Sequence, residues 1–225
     1  MLNDVISLFY PNLCISCSDK LLKNESFICL NCYAEMPRTN FYQDNENQIV
    51  RLFWGRLQLS NGLSVFQFNQ EGVLQHLIHA LKYQGQTDVG IFLGREIGKA
   101  ILSSKEWEKP DVIVPIPLHE KKQHKRGYNQ SEFIAEGIAE ILKIPAILDA
   151  VERIDDTESQ TQKAKFERWE NVATVFSISQ PNKLANKHVL LVDDVVTTGA
   201  TLEACGNKIL AVNGTKISIA AAAHG

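Results

Sequence analysis

Two adjacent carboxylates stand at the end of an apolar run and are followed at once by a cluster of hydroxyl groups. Asp193 and Asp194 come directly after residues 188–192, and the loop beyond them contains Thr197, Thr198, Gly199 and Thr201. Where such a loop opens a helix, the backbone N–H groups of the first turn are unpaired and bind anions such as phosphate. Because carboxylates do not favour a phosphate, we expect the acid pair to face sugar hydroxyls or a divalent cation. The alternative is an ordinary strand–loop–helix junction whose side chains only cap the helix.

Four of the five cysteines form two closely spaced pairs near the start of the chain. The pairs are Cys14-x2-Cys17 and Cys29-x2-Cys32, and eleven residues separate them. Each pair can bind one metal ion with both sulfurs, and four thiolates complete the closed tetrahedral shell that is typical of structural zinc. The alternatives are two disulfides, four free thiols or an iron–sulfur centre. Disulfides occur mainly in secreted proteins, and the start of the chain does not resemble a secretion signal, so disulfides are disfavoured. Such a module either holds together a segment that could not fold alone or grips a nucleic acid or protein partner.

Between and around these two groups, the sequence predicts alternating strands and helices. Apolar runs indicate strands at residues 63–68, 111–117, 146–151, 172–178, 188–192 and 216–223. Apolar residues at helical spacing indicate a helix from residue 73, helices at 89–102 and 200–212, and a further helix with Ser131 as its N-cap. This alternation predicts an α/β fold around a mostly parallel sheet, in which ligands bind beyond the carboxyl ends of the strands. The polar segment 39–48 is interpreted as a linker, which gives a four-cysteine module at residues 1–45 and a second domain at residues 46–225.

The composition is that of an ordinary globular protein. Hydrophobic residues make up 44% and charged residues 22% of the 225 residues, which excludes a disordered or fibrous chain. The net charge of −3 argues against a polycation that binds duplex DNA over its whole surface. No apolar run is long enough to span a membrane, so we expect no membrane insertion and a cytoplasmic location.

Several of these stretches together resemble a known family. Residues 189–201, VLLVDDVVTTGAT, are similar to the phosphoribosyl-pyrophosphate (PRPP) motif of type I phosphoribosyltransferases. Residues 114–119 resemble the pyrophosphate loop, residues 125–130 open the next helix, and residues 156–171 resemble the long flexible loop of these enzymes. With the cysteine module and the Leu81-Lys82-Tyr83-x-Gly85 turn, nearly the whole chain resembles the ComF family of competence-associated, phosphoribosyltransferase-like proteins.

The resemblance implies a fold, a site and a reaction. The implied fold is a type I phosphoribosyltransferase domain preceded by a small zinc-ribbon-like module, with Zn²⁺ on the four paired cysteines. The implied reaction is the Mg²⁺-dependent transfer of ribose 5-phosphate from PRPP to an unidentified nitrogen nucleophile, with release of pyrophosphate, in a protein associated with DNA uptake. Asp193 and Asp194 would be the catalytic pair that holds the ribose hydroxyls. The other implied PRPP-binding residues are Val195, Val196, Thr197, Thr198, Gly199, Ala200 and Thr201 on the phosphate side, and Ile116, Pro117, Leu118, His119 and Arg168 on the pyrophosphate side, with Arg126 as a further cation.

The basic stretch at residues 119–126, HEKKQHKR, leaves a second function open. It forms either a solvated loop or an electropositive wall for pyrophosphate or single-stranded nucleic acid. The alternative to an enzyme is therefore a non-enzymatic module of DNA uptake. Such a module would be regulated by PRPP, or would bind single-stranded DNA or the DNA-uptake machinery.

Overall fold

A four-stranded parallel sheet forms the centre of the fold in a computed structural model that describes residues 11–154 and 175–225. Its strand order is β1-β6-β5-β2, and each neighbouring pair is parallel. The carboxyl ends of these strands therefore meet at one edge, where a ligand site is expected. The strands are β1 at Gly62–Gln67, β2 at Val112–Pro115, β5 at His188–Val196 and β6 at Lys216–His224, and a separate antiparallel pair consists of β3 at Val151–Arg153 and β4 at Phe176–Ile178.

Helices supply the connections that parallel strands require. Helices α3 and α4 lie between β1 and β2 in the chain, α5 and α6 follow β2, and α8 connects β5 to β6. The helices are α1 at Leu30–Ala34, α2 at Gln48–Leu52, α3 at Val73–Tyr83, α4 at Thr87–Ser103, α5 at Glu120–Arg126, α6 at Gln130–Leu142, α7 at Pro181–Leu184 and α8 at Ala200–Leu210, with a 3₁₀ turn at Phe41–Gln43.

Both faces of the sheet are buried, which explains why its strands read as continuous apolar runs. Leu190 of β5 packs on one face with Leu93 of α4 and Ile134 of α6. Leu191, the next residue, packs on the opposite face with Phe53 and with Leu202 of α8. Successive side chains of a strand alternate between its two faces, so β5 contributes to both halves of the core. The predicted α/β class with a mostly parallel sheet is confirmed.

Helices α4 and α6 cross so closely that each presents a glycine to the backbone of the other. A Cβ atom on Gly94 would lie 2.0 Å from the carbonyl oxygen of Ile134, and one on Gly137 would lie 2.1 Å from that of Ile91. Neither acceptor can move away without disturbing its own helix. The two helices that cover one face of the sheet therefore depend on these glycines for their separation.

Three local predictions differ from the structure. Strand β5 does not end at residue 192 but continues to Val196, because β6 pairs beside it as far as His224. The basic stretch, for which a solvated loop was one of two expectations, forms helix α5, whose first turn is capped by His119. The other expectation, an electropositive wall, stays a prediction. The strand predicted at 146–151 is reduced to one parallel bridge between Ala146 and Ile113 before β3 begins.

The segment that follows the cysteines is fastened to the outer edge of β1. The Gln67 N–H donates to the Pro37 carbonyl at 2.9 Å, and the Thr39 N–H donates to the Val65 carbonyl at 3.0 Å. The Asn47 side chain donates to the Gly62 carbonyl at 2.7 Å and caps α2. The stretch interpreted as a linker thus bonds at both of its ends to the first strand.

No helix in the described ranges is long and apolar enough to cross a membrane.

We predict that Gly94→Ala lowers the free energy of unfolding by about 1–3 kcal/mol or more, because the new methyl group meets backbone that cannot yield. Urea denaturation would measure it, with Gly98→Ala, one turn further along α4, as the control. The three nearest atoms that a methyl group there would meet all belong to the Ile141 side chain, which can yield more than backbone, so the loss is smaller. If helix propensity alone mattered, Gly94→Ala would stabilise the protein by about 1 kcal/mol, and that result would contradict the close crossing.

Candidate functional site

The acid pair lies at the carboxyl end of β5, where the sheet leaves little contact with water. Asp193 is half-buried beside Ala221 of β6, and Asp194 is only 4% exposed. The Lys82 ammonium of α3 lies 2.7 Å from Asp194 Oδ2. Asp193 Oδ1 accepts hydrogen bonds from the Ser131 hydroxyl at 3.2 Å and from the Asp194 N–H at 2.8 Å. Each carboxylate therefore has a defined partner from a helix on the same face of the sheet.

Burial raises the pKa of Asp193 to about 7, and the negative charge of Asp194 acts in the same direction. The Asp194 N–H, Lys82 and Ser131 oppose this shift. At neutral pH Asp193 is therefore partly protonated, and the pair carries less than two full negative charges. A ligand that brings hydroxyl donors or a cation would favour the fully ionised form.

The hydroxyl loop after β5 turns sharply into α8 at Gly199, which has a φ of +74°. A Cβ atom there would lie 2.8 Å from the ring of Phe53, so the position combines a left-handed backbone with close packing. Thr197, Thr198 and Thr201 are exposed on either side of it. The loop thus presents hydroxyls and the first-turn N–H groups of an eleven-residue helix to solvent, which is the arrangement that binds a phosphate.

An arginine from the segment after α2 holds this loop in place. Arg56 donates to the Thr198 carbonyl at 3.0 Å and to the Leu52 carbonyl at 3.2 Å. Its Nε also donates to Glu203 Oε2 at 3.0 Å, so the guanidinium bridges the loop and the first turn of α8. The backbone of the hydroxyl loop is therefore held by side-chain hydrogen bonds from outside the loop.

The loop after β2 lies next to the acid pair because β2 and β5 are neighbours in the sheet. The Ile116 N–H donates to the Val192 carbonyl at 2.8 Å, and the Ile116 carbonyl accepts from the Asn129 side chain at 3.0 Å. His119 ends the loop by accepting from the Lys121 N–H at 3.1 Å. Residues 116–119 are thereby fixed at the same edge as residues 193–201.

The structure brings together most of the residues that the sequence predicts for a site, and it adds others. Arg168 lies outside the described residues, as does the resembling loop at 156–171, and both stay predictions. The expectation that Ser131 is an N-cap is wrong, because Asn129 caps α6 and frees the Ser131 hydroxyl for Asp193. Arg126 lies over the Tyr83 ring and donates to Gln130.

Lys82 and Arg56 were missed by sequence reasoning. Lys82 belongs to a stretch that carries the family resemblance, but its partner lies 112 positions away in the chain, and no local signal joins them. Arg56 follows Trp54-Gly55 in a stretch without any recognisable spacing, and it finds its partners only when α2 packs on the start of α8.

The four paired cysteines converge in one cluster. Their sulfur atoms all lie within 4.8 Å of one another, and those of Cys17 and Cys29 are 3.7 Å apart. Backbone N–H groups point at two of them, from Cys29 to Cys14 and from Cys32 to Cys29. None of the five cysteines, all of which are described, forms a disulfide. The cysteine segment packs on helix α4 through Phe27 and Tyr33, whose ring centres lie 5.3 and 5.9 Å from that of Phe92.

The sequence of this chain is similar to those of known proteins. The family model described as "Phosphoribosyl transferase domain" matches residues 92–225. Competence protein F of Haemophilus influenzae is 33% identical over 133 residues, which cover 57% of this chain and 58% of that protein. Competence protein ComFC of Bacillus subtilis is 28% identical over 190 residues, covering 84% of this chain and 74% of the relative.

The chain belongs to the ComF family, with a phosphoribosyltransferase domain. Another relative, DNA utilization protein YhgH of Escherichia coli, is 30% identical over 132 residues. The match spans 57% of this chain and 57% of that protein, so a large part of the relative lies outside it.

Solved structures of phosphoribosyltransferases also resemble the ComF chain. A glutamine PRPP amidotransferase from B. subtilis, complexed with ADP and GMP, has a TM-score of 0.44 and 18% identity over 64% of this chain and 30% of that one. An adenine phosphoribosyltransferase from Thermoanaerobacter pseudethanolicus has a TM-score of 0.40 and 15% identity over 64% and 84% of the two chains. Because both scores are below 0.5, the family assignment rests on the sequence matches.

Removing Lys82 tests whether the acid pair depends on it. We predict that Lys82→Met destabilises the protein by about 3–5 kcal/mol at pH 8, because a buried carboxylate is left without its cation. Adding Asp194→Asn to this variant should restore part of the loss. Urea denaturation measures both effects.

The matched control is Lys183→Met, which breaks the exposed ion pair between Lys183 and Asp149. Such surface pairs contribute about 0–1 kcal/mol. Equal losses in the two lysine variants would contradict the assignment of Lys82 as the counter-charge of the pair.

Proposed function

We propose that this ComF protein binds PRPP at the carboxyl edge of β5 and transfers ribose 5-phosphate to a nitrogen nucleophile, with release of pyrophosphate. One observation carries the proposal. A buried acid pair stands directly before a hydroxyl loop that turns through Gly199 into the start of a helix. The threonine loop suits a 5′-phosphate, and the two carboxylates suit the hydroxyls of a ribose attached to it.

The roles of the surrounding groups follow from the charge that moves in such a reaction. The bond from ribose C1 to the pyrophosphate oxygen breaks, a C–N bond forms at the same carbon, and the nitrogen loses a proton. Positive charge develops at C1 while negative charge collects on the leaving pyrophosphate. Asp193 and Asp194 would face the ribose, and residues 116–119 would meet the pyrophosphate with backbone groups. Catalysis would then rest on positioning and electrostatics rather than on a nucleophilic side chain.

A magnesium ion is part of this proposal. The acid pair and its surroundings fit such an ion, because carboxylates are the protein ligands that Mg²⁺ accepts most readily, beside substrate phosphates. When bound, Mg²⁺ would neutralise charge on the leaving pyrophosphate. The chain's own contribution is to keep Asp193 and Asp194 side by side at the strand end, where a cation would relieve the repulsion between the two carboxylates.

We also propose that the four-cysteine cluster holds one structural Zn²⁺. A tetrahedron with zinc–sulfur bonds of about 2.3 Å has sulfur–sulfur edges of about 3.8 Å, and the Cys17–Cys29 separation of 3.7 Å fits that edge. The sulfurs of Cys14 and Cys29 also accept N–H groups, as thiolates do. With four protein ligands the ion would have no open position, so its role would be to hold residues 14–32 against the larger domain.

The relatives are named competence proteins and a DNA utilization protein, which supports a role of this chain in the uptake or use of DNA. A second candidate function follows from such a role. Lys121, Lys122 and Lys125 are exposed on α5, close to the proposed pyrophosphate loop. Arg126 at the end of that helix lies 5.1 Å from the centre of the exposed Tyr83 ring. Cations beside an exposed aromatic ring favour single-stranded nucleic acid. The second candidate is therefore a non-enzymatic module that binds single-stranded DNA.

PRPP binding is the first prediction of the proposal. Calorimetric titration with PRPP and Mg²⁺ should give saturable micromolar binding, and the double variant Asp193→Asn/Asp194→Asn should lose at least about 100-fold in affinity, or about 3 kcal/mol. Asp149→Asn, which removes an exposed carboxylate that pairs with Lys183, is the control and should bind like the wild type. If the folded wild type binds no PRPP, the proposed transferase is wrong, and the second candidate becomes the working hypothesis.

Zinc content is the second prediction. The purified protein should contain one zinc ion per chain, and a strong chelator should remove it and lower the melting temperature, because metal binding contributes folding free energy. Cys14→Ser should lose the metal. Cys205→Ala removes the buried fifth cysteine in α8 and should keep it. A Cys14→Ser protein that still carries one zinc ion would contradict the assignment.

A further inference from the structure

A cavity of about 350 Å³ lies at the outer edge of β1, apart from the site described above. One wall is β1 itself, at Leu63–Val65 in the middle of the strand, and a second wall is the last two turns of α4. The third wall is the segment that joins the cysteine cluster to the sheet, at residues 38–42. The cavity therefore lies at the joint between the two parts of the chain.

The charges that line this cavity do not cancel. Glu96 is 4% exposed, and its carboxylate accepts from Arg38 at 2.7 Å, from Lys99 at 2.8 Å and from the Tyr33 hydroxyl at 3.1 Å. Burial raises the pKa of Glu96, but the hydrogen bonds from Lys99 and Arg38 outweigh it and leave the pKa below its usual value. Two cations thus face one ionised carboxylate, and the lining carries a surplus positive charge.

The surplus charge is available to a ligand through Lys99. The Arg38 guanidinium is fixed, because it lies over the Tyr33 and Phe66 rings at 5.1 and 5.2 Å. The Lys99 side chain is 60% exposed and holds Glu96 from the neighbouring turn of α4. Arg38 alone would still neutralise Glu96 if the Lys99 ammonium turned towards an anion.

Aromatic rings supply the apolar part of the lining. Tyr33, Phe41 and Tyr42 face the cavity and are each only partly buried. Flat rings beside a cation favour a planar ligand that carries negative charge, since the ring stacks while the charge is paired. The volume lies at the lower end of the range for ligand pockets and fits a molecule of one or two rings.

This cavity is not the acceptor side of the proposed transferase site. Two strand spacings separate β1 from β5, which places the outer edge of β1 roughly 10 Å or more from the acid pair. Ser64 of the cavity wall bonds the His224 ring at 2.8 Å, and the Phe41 ring lies 5.1 Å from the same ring. None of the described residues that line the cavity belongs to residues 116–119 or 193–201.

We propose that this cavity binds a planar aromatic monoanion, with its ring against Phe41 and Tyr42 and its anionic group on Lys99. The site is independent of PRPP and lies where a ligand would touch both the cysteine module and the phosphoribosyltransferase domain.

The test is a fluorescence titration of the zinc-loaded full chain with 2-hydroxybenzoate, a single ring with one carboxylate. We expect saturable binding at concentrations up to about 1 mM. Benzyl alcohol, which has the ring without the charge, and acetate, which has the charge without the ring, should fail to compete at the same concentrations. Binding should be the same in the Asp193→Asn/Asp194→Asn variant, which separates this site from the proposed PRPP site.

Two variants test whether the probe binds in this cavity. Lys99→Gln should weaken binding by at least about tenfold, as the loss of one charge-assisted hydrogen bond does. Lys183→Gln, which removes a lysine that is 49% exposed from an ion pair elsewhere, should leave binding unchanged. Absence of saturable binding, equal binding by Lys99→Gln and the wild type, or loss of binding in the double aspartate variant would each overturn the proposal.

Discussion

Two adjacent carboxylates at the end of a buried strand repel each other and lose hydration, so the surrounding structure must offset both effects. Lys82 supplies a positive charge 2.7 Å from Asp194, and Ser131 supplies a hydroxyl to Asp193. These partners come from two different helices, α3 and α6, which both pack on the same face of the sheet. The close crossing of α4 and α6 at Gly94 and Gly137 keeps Ser131 in position. The electrostatics of one strand end therefore depend on the packing of a whole helical layer.

The opposite layer fixes the hydroxyl loop that follows the acid pair. Phe53 packs against Gly199, and Arg56 bridges the loop carbonyl of Thr198 to Glu203 of α8. A loop that is held in this way loses little conformational freedom when a ligand binds. The site is thus set by one helical layer that balances charge and another that fixes backbone, with the parallel sheet between them.

The sequence was sufficient to predict the fold class and the order of most strands and helices. Continuous apolar runs such as residues 188–192 and 216–223 mark strands buried on both faces, and that signal is local. The pattern predicts that β5 ends at residue 192, because Asp193 and Asp194 are polar residues of the type that usually follows a strand. Their backbone nevertheless pairs with β6 up to His224.

Long-range partners were beyond sequence reasoning for a physical reason. Spacing along the chain reports which side chains share a helix face or a turn, and it carries no information on which elements later come into contact. The contacts of Lys82 with Asp194 and of Arg56 with Thr198 join elements that are far apart in the chain, so no local spacing indicates them. The cysteine cluster could be predicted, because both halves of the ligand set are local pairs.

The most direct test of the account is the titration of the Asp193 carboxyl carbon by NMR, with and without PRPP and Mg²⁺. In the free protein the account predicts a pKa of about 7, because burial and the neighbouring charge of Asp194 favour the protonated form. Bound PRPP and Mg²⁺ should shift the titration to lower pH, since hydroxyl donors and a cation stabilise the ionised form. A carboxyl that titrates near 4 in the free protein, or one whose pKa is unchanged by PRPP and Mg²⁺, would contradict the claim that this buried acid pair is the centre of the site.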